Sequence, residues 1–358
     1  MILPSRMLRY AVILAAGKGT RFKSEKPKVL HEICGKPMVT YLLDRLGDLG
    51  IGRSWIIVGE GADQVRSALS DYPVTFRVQE PQLGTGHAVM TVLPELERIT
   101  GSVLVLYGDT PLIPTPILER LFSEREESDA DEVLLTAELD EPTGYGRILR
   151  GTGEEVLDII EEKEATPSQK AIREINAGFA CFKAESLVRS LPLLTNDNRA
   201  GEYYLTDLVR TISSQGGQVR GVRYSARDDI FGINNRVELA SAEARLRHRI
   251  NRDWMERGVT LLDPARTVID ADVQIGPDTT ILVGAVLRGS TRIGANCLIG
   301  TYTYLEDAVL EDNVHVEHCS MVRGQRVGSG RTVPPFSLLD SAGPVNEDAP
   351  GETGAERG

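Results

Sequence analysis

Ile269, Ile275, Ile281, Leu287, Ile293, Ile299 and Leu305 fall at every sixth position of the chain. After a one-residue slip, Leu310, Val316 and Val322 continue the period, and glycine often follows, as in Ile275-Gly276, Ile293-Gly294 and Ile299-Gly300. A six-residue period is the signature of a left-handed parallel β-helix with three hexapeptides per coil. Each aliphatic side chain points into the prism, and each coil needs neighbours to bury its faces. Irregular β-structure is the alternative, and it gives no reason for seven aliphatic positions in unbroken register.

The residues before this repeat follow another rule. From Tyr10 to about Arg223, apolar strand-like runs alternate with helix-like segments. Trp55 to Val58, Val74 to Val78, Val103 to Tyr107 and Val133 to Ala137 are the clearest strands, while Met38 to Leu46 and Thr115 to Phe122 have helical spacing. Such alternation argues for an α/β sheet layered by helices. Val237 to Arg257 reads as one long amphipathic helix, with Leu239, Leu246, Ile250 and Trp254 at three-to-four-residue steps. The expected organisation is an α/β domain over 1–235, a connecting helix over 236–257, a β-helix over 258–339, and a disordered, mildly acidic tail over 340–358.

A net charge of −12 argues against broad nucleic-acid binding. Cys34, Cys181, Cys297 and Cys319 are too scattered for a metal site and read as reduced and mostly buried. No run is long and apolar enough to span a membrane. The apolar run after Arg9 is interrupted at Lys18 and is needed as a strand, so no signal peptide is expected. A cytoplasmic location is the default expectation.

The chemistry concentrates after the first strand, in Leu14-Ala15-Ala16-Gly17-Lys18-Gly19-Thr20-Arg21 and then Pro27-Lys28-Val29-Leu30. A strand that ends in a glycine-rich turn exposes backbone N–H groups that can wrap phosphate oxygens. Arg21 and Lys28 add positive charge to the same mouth. The Walker A frame does not fit. The dinucleotide fingerprint needs a glycine where Phe22 stands. A tight turn with solvated basic residues is the plain alternative for a lone Gly-x-Gly. Three more segments accompany it. Gln79 to His87 reads Gln-Glu-Pro-Gln-Leu-Gly-Thr-Gly-His, in which amides and glycine backbone can meet the edge of a flat base. Tyr107-Gly108-Asp109 closes a strand, where an Asp is ordinarily a cap or turn residue. Asn234 stands just before the long helix, as a helix cap or a ligand or both.

This pattern resembles the sugar-phosphate nucleotidyltransferases, and over the first 257 residues or so it is similar to N-acetylglucosamine-1-phosphate uridylyltransferases of the bacterial bifunctional type. The resemblance implies a Rossmann-like nucleotidyltransferase domain with a mixed, mainly parallel sheet, followed by the β-helix. It implies Mg²⁺-dependent transfer of uridylyl from UTP to N-acetylglucosamine 1-phosphate. Ala16, Gly17, Gln79, Gly84 and Thr85 would bind the nucleotide, with uracil on the Gln79 to His87 segment. His87 itself reads as structural rather than catalytic. Arg21 and Lys28 would be the catalytic cations, and Asp109 and Asn234 would hold Mg²⁺. Gly146 of Gly144-Tyr145-Gly146-Arg147, Glu161 of Ile160-Glu161-Glu162-Lys163 and Asn176 of Glu174-Ile175-Asn176-Ala177-Gly178 would line the sugar. Gly201 to Asp207 would border the N-acetyl group, with packing of the tyrosines as the alternative.

Bifunctional members carry a longer β-helix with an acetyltransferase site marked by a His-Tyr pair and an Asn-Tyr-Asp segment. This chain has about four coils by its repeat count and no Asn-Tyr-Asp. The expectation is therefore that acetyl transfer is absent, with His315 and His318 as surface positions. The resemblance also implies a homotrimer through the β-helix, and no nucleic-acid or membrane partner. Three rivals remain: a nucleotidyltransferase for another sugar 1-phosphate or base, a non-catalytic sensor or scaffold, and an enzyme whose second site is built differently.

Overall fold

The computed structural model describes residues 8–153, 155–225 and 229–341. It divides into two compact units, one of residues up to Glu32 plus Pro37–Ala242, the other of Ile33–Lys36 plus residues from Glu243. The tail expected over 340–358 lies, from residue 342 on, outside the described residues.

The first unit is built on a nine-stranded sheet. Its strands are β1 (Arg9–Ala15), β2 (Arg53–Val58), β3 (Val74–Val78), β4 (Ser102–Tyr107), β5 (Glu132–Glu138), β6 (Arg147–Arg150), β7 (Val156–Ile160), β8 (Glu174–Lys183) and β9 (Val219–Arg223). The order is β9-β5-β8-β4-β1-β2-β3, with the β6–β7 hairpin joined to β8. β1 is parallel to β2 and β4, β2 to β3, and β9 to β5. Only β8, antiparallel to β4 and β5, breaks the direction in the middle of the sheet. Central strands such as Ala11-Val12-Ile13 are apolar throughout because both faces are covered. Ala11 and Ile13 pack on one side, with Val39 and Leu42 of α1 (Met38–Asp48). Val12 and Leu14 pack on the other, with Val89 of α2 (Thr85–Met90).

One carboxylate ties several of these strands together. Glu174 on β8 accepts from Arg150 Nε and Nη2 (2.8 and 2.6 Å) and from Thr136 Oγ1 (2.7 Å), with Arg223 at 3.4 Å. Burial opposes its charge, but these donors prevail and hold its pKa down at about 2. A depressed carboxyl stabilises the fold above its unfolded value and loses that contribution as pH falls toward the folded value. Stability should therefore decline between about pH 4.5 and 2 partly through this residue. Acid titration of Glu174→Gln, followed by circular dichroism, should show a shallower decline over that window.

The second unit contains three parallel sheets of five, five and four short strands, the parallel β-helix read from the six-residue period. Leu261, Ile281, Ile299, Val316 and Val333 stack in one sheet, Ile269, Leu287, Leu305, Val322 and Leu339 in the second, and Ile275, Ile293, Leu310 and Val327 in the third. Except for the half-exposed Leu339, these side chains are buried. The slip after Leu305 is a shortened corner, and it recurs between Val322 and Val327. Another corner stacks Asp278, Asn296 and Asn313 at φ of 59°, 56° and 60°, then Gly330 at 66°. Short polar side chains and glycine tolerate that left-handed backbone best. Buried Thr279, Thr291 and Ser320 donate to the carbonyls of Gly294, Arg288 and Pro334 (2.8, 2.6 and 2.8 Å), which gives each buried hydroxyl a partner. Helix α3 (Arg236–Glu256) contributes Ile250 and Trp254 to this core. Its buried Asn251 donates to the carbonyls of Pro264 and Thr267. Of the four cysteines, Cys319 is exposed and the others are buried, all as free thiols. Among the described residues no helix is long and apolar enough to cross a membrane.

Candidate active site

β1 and β4 are adjacent and parallel, so their carboxyl ends open on the same side of the sheet. That is where open α/β sheets bind ligands. The turn after β1 and the turn after β4 meet there: Gly108 N–H donates to Leu14 O (2.9 Å), and a Cβ on Gly108 would meet Val29 at 3.0 Å. Gly19 adopts φ 57°, which lets Lys28 come within 2.9 Å of where its Cβ would stand. Lys28 thereby reaches the end of β4. Its ammonium forms an ion pair with Asp109 Oδ2 and donates to Asn234 Oδ1 at 2.8 Å. Arg21 donates to the same Asn234 oxygen at 2.8 Å. Four residues drawn from three distant segments thus converge on one point. Asn234 is held from its other end by its Nδ2 donating to Gly232 O (2.9 Å).

A cleft of about 910 Å³ opens beside this cluster. Ala16, Gly17, Lys28, Gln79, Gly84, Thr85 and Asp109 all line it, together with Tyr107, Gln82 and Glu202. Gln82 donates to Ala16 O at 2.7 Å and ties the second glycine loop to the first. Gln79, 5% exposed, donates to Gly84 O at 2.8 Å. Thr85 Oγ1 accepts from Leu205 N–H at 3.0 Å, which fixes Gly201 to Asp207 against the start of α2. Burial pushes the Tyr107 phenol well above its ordinary value, and the charges of Glu161 and Asp109 add to the shift.

Gly146, Glu161 and Asn176 come together next to this cleft. Asn176 N–H donates to Gly146 O (2.9 Å), and a Cβ on Gly146 would lie 3.6 Å from Glu161 Oε1. The register of β8 against β5 slips between Asn176 and Ala180, with Gly178 at φ 84° inside the slip. Such a bulge re-aims neighbouring side chains. Asn176 Oδ1 accepts from Gly178 N–H (3.0 Å), and a Cβ on Gly178 would strike the Tyr107 ring at 2.8 Å. Burial raises the Glu161 pKa, and a hydrogen bond from Thr206 (2.9 Å) partly offsets it.

One expectation changes. The cap of α3 is Asn235, not Asn234: Asn235 Oδ1 accepts from the N–H groups of Val237 and Glu238, each at 2.9 Å. Glu238 accepts in return from Asn234 N–H (2.7 Å). Asn235 can reach the free amides of the first turn, which leaves the Asn234 side chain aimed at Lys28. Sequence reasoning covered Gln82 and Glu202 only as members of their segments and singled out neither as a lining residue of the nucleotide cleft. The contact of Gln82 with Ala16 is tertiary and has no local signature.

Comparison with known proteins fits this geometry. Residues 11–176 match the model of the MobA-like NTP transferase domain. The chain is 48% identical over 317 residues to the bifunctional protein GlmU of Syntrophotalea carbinolica, covering 88% of this chain and 68% of that protein. The chain belongs to the GlmU family. GlmU of Halalkalibacterium halodurans is 42% identical over 95% of this chain and 74% of its own length. GlmU of Heliobacterium modesticaldum is 44% identical over 92% and 72%. A solved structure of CMP:2-keto-3-deoxy-manno-octonic acid synthetase with CTP superposes with a TM-score of 0.53 at 15% identity, over 68% of this chain and 99% of that one. At that identity the likeness speaks for the fold alone. This member of the family therefore combines a nucleotidyltransferase sheet with a parallel β-helix.

Proposed function

We propose that the chain transfers uridylyl from UTP to N-acetylglucosamine 1-phosphate, releasing UDP-N-acetylglucosamine and pyrophosphate. The observation that carries this is the convergence of Arg21, Lys28, Asp109 and Asn234 at a cleft lined by both glycine loops. A phosphate oxygen of the sugar phosphate attacks the α-phosphorus in line. The bond from that phosphorus to the bridging oxygen breaks, and pyrophosphate leaves with the electron pair. The attacking oxygen is already anionic, so positioning and charge neutralisation do the catalysis. Lys28 and Arg21 hold phosphate oxygens and offset the charge on the leaving group. Ala16, Gly17, Gln79, Gly84 and Thr85 hold the nucleotide, and Gly146, Glu161 and Asn176 hold the sugar.

The donor set suits Mg²⁺: the Asp109 carboxylate and the Asn234 amide oxygen already converge on one cation, the Lys28 ammonium. Mg²⁺ commonly takes one or two protein oxygens and fills its shell with water and phosphate. Bound there, it would neutralise phosphate charge between the two substrates.

In this reading residues 1–235 form the catalytic domain and 258–339 a scaffold that assembles three copies. The same reading has the enzyme work in the cytoplasm. We further propose that the coils of 258–339 carry no acetyl-transfer centre of their own. His315 and His318 are exposed there, and acetyl-CoA binding to the pure protein would overturn this part.

The decisive assay is pyrophosphate release with UTP and Mg²⁺, comparing N-acetylglucosamine 1-phosphate, glucosamine 1-phosphate and glucose 1-phosphate. Preference for the acetylated sugar is expected. Release with another sugar alone would change the substrate, and no release would favour a sensor or scaffold. A pH series adds a second check. Glu161 serves the sugar when ionised, so the KM for the sugar should rise as pH falls through its raised pKa. Thr206→Val removes the opposing hydrogen bond and should move that rise to higher pH.

A further inference from the structure

Gln79 is an amide with two chemically opposite ends, and its surroundings decide which end the cleft meets. Its Nε2 lies 2.8 Å from Gly84 O and 3.2 Å from His87 Nδ1. A backbone carbonyl can only accept, so the –NH₂ end must face Gly84. The second hydrogen then points at His87 Nδ1, which must carry a lone pair, placing the imidazole proton on Nε2. Both hydrogens of the Gln79 amide are thereby used, and Oε1 is the end left for a ligand. Gln79 lines the cleft and His87 does not. The His87 ring is itself braced by Tyr203, centroid to centroid 6.2 Å.

We propose that His87 is a positioning residue for base choice: its Nδ1 and the Gly84 carbonyl lock the Gln79 amide with its oxygen toward the nucleobase. Such a site favours a pyrimidine that offers N3–H, as uracil does. It opposes one that offers an N3 lone pair, as cytosine does, because two acceptors then face each other at the buried Gln79 amide. The inference deepens the uridylyl-transfer reading and rests on its placement of the base at Gln79.

The test uses the full chain and compares UTP with CTP, both for pyrophosphate release and for equilibrium binding by calorimetry. His87→Phe keeps a ring against Tyr203 but removes the lone pair. His87→Leu removes it without a ring, in case the first variant does not fold. His87→Asn puts an amide oxygen on Cγ, where Nδ1 was. The two apolar variants should lose roughly 10-fold or more of the UTP-over-CTP preference, the scale of one lost hydrogen bond. The Asn variant should keep the parent's preference within about threefold. Unchanged preference in both apolar variants, or an Asn variant no better than Phe, overturns the proposal. A parent that binds UTP over CTP without releasing pyrophosphate would sink the uridylyl reading and leave base selection standing. A parent that binds neither sinks both.

Discussion

Lys28→Ala should lose most turnover while the protein stays folded. Its ammonium meets both oxygens proposed for the metal and is placed to follow phosphate charge into the transition state. Removing one preorganised partner of developing charge typically costs about 10²–10³-fold in kcat. Asp109→Ala should fall at least as far, since it takes away the carboxylate that anchors the same cluster. The fold should survive either change because the hydrophobic core of β1 and β4 lies beneath the site and is untouched. Steady-state kinetics beside a urea titration separate the two effects. Near-parental kcat in either variant would remove that residue from the mechanism.

Gly84→Ala should damage binding and stability together. Gly84 adopts φ 103° and ψ 176°, a region essentially reserved for glycine. An added Cβ would also stand 2.6 Å from the Tyr203 carbonyl, which is backbone and cannot swing away. Backbone strain of this kind costs about 1–3 kcal/mol. The loop can relieve it only by moving the carbonyl that holds Gln79. We expect a KM for UTP raised by roughly 10-fold or more, the scale of one hydrogen bond, with a lower urea midpoint. The KM for the sugar phosphate should change much less. An unaltered KM for UTP would mean that the base does not sit against this turn.

Some of this architecture was legible from the chain and some was not, for physical reasons. The prism could be read because every inward position must be aliphatic, which prints its period directly on the sequence. The shortened corner could be seen once, after Leu305, but its return before Val327 emerges only when the coils are stacked. Strand direction leaves no mark on composition. Ala180-Cys181-Phe182 is as apolar as any parallel core strand, and nothing local announced that β8 runs against its neighbours. The glycine turns could be read because the backbone requirement is local. The partnership of Lys28 with Asp109 and Asn234 spans 81 and 206 residues and could be paired only through a family resemblance. Asn234 could be read as cap, ligand or both, since two adjacent asparagines serve equally well on paper and only geometry gives the cap to Asn235.

The four residues Ile33–Lys36 have a consequence for how this protein is made. They belong with the β-helix unit although the chain reaches them long before that unit begins. Cys34 O accepts from Ala271 N–H (2.9 Å), and Lys36 pairs with Asp272 (3.3 Å) across 236 residues of sequence. At synthesis rates of about 5–20 residues per second, this small segment waits roughly 12–50 s on the ribosome for its partners. The sheet encoded on either side of it can close meanwhile, so the segment must stay available while its sequence neighbours fold. A gene cut between the two units would not divide them cleanly either: the β-helix half would lack a piece of itself that is encoded near the start of the other.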